Sequence, residues 1–199
     1  NQIELPPNLE YDADQKPILE MLDYHHRTHW QKASDSQRRN RTANYYTAIT
    51  KLDKAVGKIL QALEDEGILD RTLVVLSADH GDLGGDFGRY QKQCFYERAV
   101  RIPFIVRGPG VPAGERRSRL GEQVDIIPTL AGLAGATVPD TGGMDLSNTV
   151  CRNAPSKDFV HAFLQYQGIT HMMSRSDTHK LYCAYAPARN ARTWELYDL

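Results

Sequence analysis

Asp79, His80 and Lys92 are the residues whose types and spacing could do chemistry. Asp79 offers a hard oxygen donor and His80, beside it, a nitrogen donor; together they suit a divalent cation. Lys92, a short loop further on, supplies a positive point charge suited to an anionic ligand. Between them Gly81, Gly84, Gly85 and Gly88 let the backbone turn tightly around a bound group. An isolated Asp-His-Gly is also an ordinary turn sequence, so the triplet decides nothing alone.

The elements that must position these residues are legible on either side. Leu73, Val74, Val75 and Leu76 form an apolar, β-branched run, which reads as a strand buried on both faces of a parallel sheet. Asp79 and His80 follow its end, and in open α/β sheets ligands bind just beyond the carboxyl ends of strands. Upstream, Tyr45, Ile49, Leu52, Val56, Ile59, Leu60 and Leu63 recur at three- and four-residue steps. That spacing predicts a long amphipathic helix over Ser36 to Glu66, packed on a sheet and ended by Gly67. Downstream, Cys94 to Val100 predicts a short helix and Ile102 to Val106 a second apolar strand before the turn Gly108-Pro109-Gly110. Asp125 is placed to cap a helix with Pro128 in its first turn, Ile126, Ile127, Leu130, Leu133 and Ala134 on its apolar side, and Gly135 at its end. The polar stretch Asn148 to Lys157 marks a boundary. Beyond it, 159–166, 169–175, 180–185 and 193–199 read as an antiparallel meander of four strands.

Taken in order, the motifs resemble the sulfatase family of the alkaline phosphatase superfamily. The resemblance is carried by Ser77-Ala78-Asp79-His80-Gly81, Lys92, Tyr96-Glu97, Arg101-Ile102-Pro103 and Arg107-Gly108-Pro109-Gly110. It continues in Val124-Asp125-Ile126-Ile127-Pro128-Thr129-Leu130 and closes with Glu195-Leu196-Tyr197-Asp198-Leu199. Arg175 to Leu181 is similar to a further family stretch, R-x-x-x-x-K-[LY].

The resemblance implies an α/β fold: part of an alkaline-phosphatase-like mixed sheet flanked by helices, with a small C-terminal antiparallel sheet subdomain. Residues 1–150 would be the C-terminal half of the catalytic domain and 151–199 the antiparallel subdomain. Asp79 would be a Ca²⁺ ligand, with Mg²⁺ or Mn²⁺ as alternatives, and His80 a ligand or a neighbour of the metal. Lys92 would contact the sulfate; Asp82 and Glu97 would stand behind the site, and Arg101 would be structural. Phe87 occupies a position where many members carry a second His. The family's nucleophile, a Cys or Ser in C/S-x-[PA]-x-R oxidised to formylglycine, is expected in an upstream half. Cys94 and Arg98 have that spacing, but Tyr96 stands at the Pro or Ala position and the segment follows the metal motif, so Cys94 is read as a packing residue.

The expected function is therefore that of a sulfuric ester hydrolase fragment, inactive alone, acting on a small-molecule or saccharide sulfate ester and docking on its own N-terminal half. A phosphonate or phosphate ester hydrolase of the same superfamily, or a non-catalytic binding subunit, remain the alternatives. A net charge of −1 gives no push toward nucleic acid or anionic membrane, and no segment reaches the roughly 20 apolar residues of a membrane helix. Cys94, Cys151 and Cys183 are too few and scattered for a disulfide framework or zinc cluster. The resemblance favours a periplasmic or secreted setting. His25, His26 and His29 read as a solvated surface, and Arg116, Arg117 and Arg119 as a solvated loop with an acidic contact as the other reading.

Overall fold

The computed structural model describes residues 3–10, 16–21 and 33–199. His25, His26 and His29 lie outside them. Element order is α1 (Pro17–Met21), α2 (Asp35–Asp65), β1 (Val74–Ser77), α3 (Glu97–Val100), β2 (Phe104–Arg107), α4 (Ile126–Ala134), α5 (Ser147–Arg152), and then β3 (Val160–Tyr166), β4 (Ile169–Arg175), β5 (His179–Ala186) and β6 (Ala191–Asp198).

Helix α2 begins in a capping box. The Ser34 hydroxyl accepts from Gln37 N while the Gln37 side chain accepts from Ser34 N at 2.8 Å. Two of the amides that a helix start leaves unpaired are satisfied this way. The predicted packing of this helix on a sheet is not what the structure shows. None of its residues is buried, and Tyr45, Tyr46, Ile49, Leu52 and Ile59 are all about half exposed or more. The three- and four-residue rhythm correctly gave the helix and its apolar stripe; nothing among the described residues covers that stripe.

The strand expectation needs a second correction. β1 pairs with β2 antiparallel, Val74 opposite Arg107 and Ser77 opposite Phe104, and no parallel pairing occurs among the described residues. β1 is only partly buried, with Leu76 exposed. A short apolar run announces a strand, but its composition does not give the direction of the neighbour. The pair is closed at its far end by Gly108, at φ 151°, where a Cβ would come within 2.8 Å of the Thr72 carbonyl oxygen.

β3 to β6 form the expected four-stranded meander in sequential order. Gln167 and Gly168, both at positive φ, make the two-residue turn between β3 and β4. Alternation then gives the sheet an inner face. Ile169, His171 and Met173 from β4, Lys180, Tyr182, Ala184 and Ala186 from β5, and Glu195 from β6 are buried on it. The core of the molecule lies between this face and the segment 83–99, with Ile18 of α1 beside them. Leu83, Cys94, Phe95, Tyr96 and Ala99 pack there against Ile169, Met173 and Tyr182. Each large side chain buried in such a cluster is worth about 1.5–3 kcal/mol.

Helix α4 ends at Gly135, φ 66°, as its position predicts. Asp125 does not cap this helix with its side chain. It is 2% exposed and accepts from Glu122 N at 2.8 Å and Met144 N at 2.7 Å, while Lys157 Nζ lies 2.8 Å from its Oδ1. It therefore organises the loops before and after α4. The stretch read as a polar boundary begins with helix α5.

Candidate active site

β1 delivers the chain to Ala78 and Asp79 at the open end of the two-stranded sheet. The turn there is held from α4's side: Gln123 Nε2 donates to the Ala78 carbonyl at 3.0 Å and to the Asp79 carbonyl at 2.6 Å. Gly81 then passes under α3, its N–H donating to the Ala99 carbonyl at 2.8 Å. A Cβ at Gly81 would meet the Arg98 carbonyl oxygen at 1.9 Å, so only glycine fits this crossing.

Within this turn the Asp79 carboxylate points to solvent, its side chain 83% exposed. Its Oδ1 accepts from His80 N at 2.9 Å, which fixes the carboxylate against its own backbone. His80 is oriented from the other side, Nδ1 lying 2.9 Å from the Gly81 carbonyl. A carbonyl only accepts, so Nδ1 carries the proton and Nε2 is free to present a lone pair or a second proton. Nε2 lies 3.2 Å from Asp79 Oδ2. In the neutral ring two lone pairs then face one point, an arrangement that fits a cation. The histidine that ligates a metal usually has its other ring nitrogen tied to a carbonyl in this manner. The pair brings two donors only: among the described residues no group of three or more His, Cys, Asp or Glu could hold a metal ion.

The Gly-rich loop closes on itself. Asp82 accepts from Gly84 N at 2.7 Å and Gln91 N at 3.0 Å, and Leu83 N donates to the Gln91 carbonyl at 2.8 Å. Asp82 is thus a loop brace. Lys92 follows this closure directly. It is exposed, and its ammonium makes no ion pair among the described residues. Its carbonyl accepts from Cys94 N at 2.6 Å, turning the chain into the core. Phe87 sits in the left-handed region at φ 57°, its ring 5.0 Å from that of Tyr96. It therefore belongs to the hydrophobic packing and not to a set of ligands. Asp86 pairs with Arg98 at 3.0 Å, and burial pushes its carboxyl above the usual range.

A buried polar cluster joins residues 95–97, just downstream of Lys92 in the chain, to the C-terminal sheet. Glu195 accepts from Tyr96 Oη at 3.1 and 2.9 Å, from Ile18 N at 2.8 Å, and from Tyr197 Oη. Burial raises its pKa, opposed by those hydrogen bonds and by Lys16. Lys180, 2% exposed, donates to the Phe95 carbonyl at 3.1 Å and to Glu97 Oε1 at 3.0 Å; Arg175 Nε stands 3.5 Å from the same carboxylate. Burial lowers the pKa of Lys180 and the Glu97 charge raises it in part. A cavity of about 220 Å³ opens beside this cluster, lined on one side by Asp86, Phe87 and Arg98 and on the other by Lys16, Lys180 and Tyr197. Cys94 is buried, and its thiol is pushed up to about 11 by burial, as befits a packing residue.

The structure thus gathers Asp79 and His80 into one turn and places Lys92 at the base of the adjoining loop. Lys180 and Glu195 stand in two of the stretches that carry the resemblance, Arg175 to Leu181 and Glu195 to Leu199, but no role is legible for them there. Gln123, one residue ahead of Val124-Asp125, carries no local signal.

Comparison with known proteins followed the same lines. The family model described as Sulfatase matches residues 13–136, and the one described as N-sulphoglucosamine sulphohydrolase, C-terminal, matches residues 85–199. Arylsulfatase K of Danio rerio is 32% identical over 169 residues, covering 79% of this chain and 31% of that protein. The solved structure of a 2-O GAG sulfatase superposes with a TM-score of 0.83 at 26% identity, covering 100% of this chain and 45% of that one. A phosphonate monoester hydrolase from Silicibacter pomeroyi has the same fold, with a TM-score of 0.84 at 22% identity over 99% of this chain and 44% of its own. The chain spans about a third of the curated relative's length and under half of the solved ones.

Proposed function

The chain belongs to the sulfatase family, and from that premise we propose that it supplies the metal-and-anion side of a sulfuric ester hydrolase whose nucleophile lies in an upstream half. The observation that carries the reading is the Asp79–His80 pair, 3.2 Å apart at the end of β1, with the ring's other nitrogen tied to the Gly81 carbonyl. Asp79 Oδ2 and His80 Nε2 would hold Ca²⁺, or Mg²⁺ or Mn²⁺ in its place. Such an ion, when bound, neutralises the oxygens of a sulfate ester.

Lys92 is the chain's own contribution to substrate. Its ammonium, without an ion pair among the described residues, would bind a sulfate oxygen and hold the charge that develops there. Gln123 holds the Asp79 carbonyl and with it the turn that carries the pair. Proton delivery to the leaving alcohol and attack on sulfur fall to groups outside this chain, formylglycine being the expected nucleophile. We place 1–150 in the catalytic domain and 151–199 in a C-terminal sheet subdomain, and the setting as periplasmic or secreted.

The substrate would be a small or saccharide sulfate ester, a class supported by the names of the relatives. A phosphonate or phosphate ester is the second reading, supported by the shared fold of the phosphonate monoester hydrolase. The experiment is kinetic. The chain alone should give no turnover of an aryl sulfate. Joined to its upstream half it should hydrolyse the sulfate faster than the matched phosphonate, and Asp79→Asn or Lys92→Ala should each lower kcat/KM by about 100-fold or more. Turnover by the chain alone, or full activity in both variants, would falsify the proposal.

A further inference from the structure

Three consecutive residues downstream of Lys92 are each gripped by a charged side chain of the C-terminal sheet. The Phe95 carbonyl accepts from Lys180 Nζ at 3.1 Å. The Tyr96 hydroxyl donates to both oxygens of Glu195, at 3.1 and 2.9 Å. The Glu97 carboxylate accepts from Lys180 at 3.0 Å and faces Arg175 at 3.5 Å. The register explains how one sheet does this. Arg175, Lys180 and Tyr197 stand opposite one another across β4, β5 and β6, and Met173, Tyr182 and Glu195 form the next inward row. One row holds Glu97, the next holds Tyr96, and Lys180 spans from the first row to the Phe95 backbone. Aromatic contacts fill the space between, Phe95 on Tyr182 at 5.4 Å and Tyr96 on Tyr182 at 5.6 Å.

Lys92 needs such a hold. It is an exposed residue with four rotatable bonds, and its own backbone is tied locally, its N–H to Gln93 Oε1 at 3.3 Å and its carbonyl to Cys94 N at 2.6 Å. A cation helps an anionic transition state only if its origin is fixed beforehand. Buried charge is costly, and a lysine 2% exposed would not stand among tyrosines without a partner. Lys180 finds its partners, the Phe95 carbonyl and Glu97, within the six residues that begin at Lys92, and Glu195 finds Tyr96 there beside Ile18 N and Tyr197.

We propose that Lys180 and Glu195 are positioning residues for Lys92: the C-terminal sheet serves as the jig that sets where the sulfate-binding ammonium leaves the chain. The inference rests on the reading of Lys92 as the sulfate contact. It assigns the C-terminal sheet a part in turnover through the backbone that carries Lys92.

A double-mutant cycle tests it in the protein that carries both this chain and its upstream half. Lys92→Ala sets the scale. Lys180→Met should lower kcat/KM by about 10- to 100-fold alone, and by less than about twofold in the Lys92→Ala background, because it acts through Lys92. Lys180→Arg, which keeps the charge and reaches the Glu97 carboxylate, should restore most of the loss. Should Lys180→Met fail to fold, Glu97→Gln takes its place in the cycle with the same expectation. Hydrogen exchange on the same variants should show the amides of Cys94, Ala99 and Val100 opening about tenfold faster or more, with those of β3 unchanged. Full additivity of Lys180→Met and Lys92→Ala overturns the positioning role while leaving Lys92 as the contact. No effect of Lys92→Ala alone overturns the underlying reading, and the inference with it.

Discussion

His171 makes this fold acid-labile. It is fully buried on the inner face of β4, with Nδ1 2.8 Å from the Tyr182 hydroxyl and Nε2 without a hydrogen-bond partner among the described residues. Phe95 lies edge-on at 6.3 Å. A charged ring there would lose its water, and among the described residues no carboxylate pairs with it, so burial lowers the pKa from 6.5 to about 4. The unfolded chain therefore takes up a proton between pH 6.5 and 4 that the folded chain refuses. Stability from this group is fully present above pH 6.5 and is lost as the pH falls toward 4. At about 1.4 kcal/mol per tenfold, the loss comes to about 3 kcal/mol. Glu195 works in the opposite sense. Its raised pKa means the folded state binds a proton more readily, so its contribution grows on acidification. A single acid titration would mix the two, whereas a comparison with His171→Gln isolates the imidazole, since glutamine can still bond the Tyr182 hydroxyl and does not titrate. Guanidinium unfolding at several pH values is the assay. Whatever the offset between the proteins at pH 7.5, it should move in favour of the variant by about 3 kcal/mol by pH 4. Parallel curves would refute the reasoning and show that water or a partner reaches Nε2.

Other consequences are as specific. Gly81→Ala drives a methyl into the Arg98 carbonyl and should cost about 1–3 kcal/mol or more in a denaturant titration, with α3 loosened. Lys157→Met leaves the Asp125 carboxylate buried without its cation and should lower stability by about 3 kcal/mol on the same assay. Thiol labelling of the native protein at pH 8 should modify half-buried Cys151 first, with Cys94 and Cys183 reacting only as the fold opens.

What the sequence made legible was the local part of the structure. Alternation in 160–198 with turns at Gln167-Gly168 and Asn190 located all four strands within two residues or so. The three- and four-residue rhythm located α2. The geometry of the candidate motif was legible because Asp79 and His80 are neighbours in the chain, and because glycine at 81 is dictated by a close crossing. What the chain concealed was long-range. The apolar run 73–76 could not say that its partner runs antiparallel, since pairing direction depends on a strand thirty residues on. The apolar stripe of α2 promised a packing partner that the described residues do not provide. Lys180 and Glu195 stand in motifs of the resemblance, yet their burial was not legible, because the groups that make it tolerable, Glu97 and Tyr96, are about a hundred residues earlier.

Helix α2 runs for 31 residues, about 46 Å at the usual rise, and contributes no side chain to the core. Two side chains near its start tie it to the rest, Arg39 donating to the Ile3 carbonyl and Arg41 standing 4.3 Å over the Tyr90 ring. Beyond that stretch its turns should unwind and rewind while the sheet and the segment 83–99 stay intact, so a circular-dichroism melt ought to lose helix signal well before the tyrosines of the interior report any change.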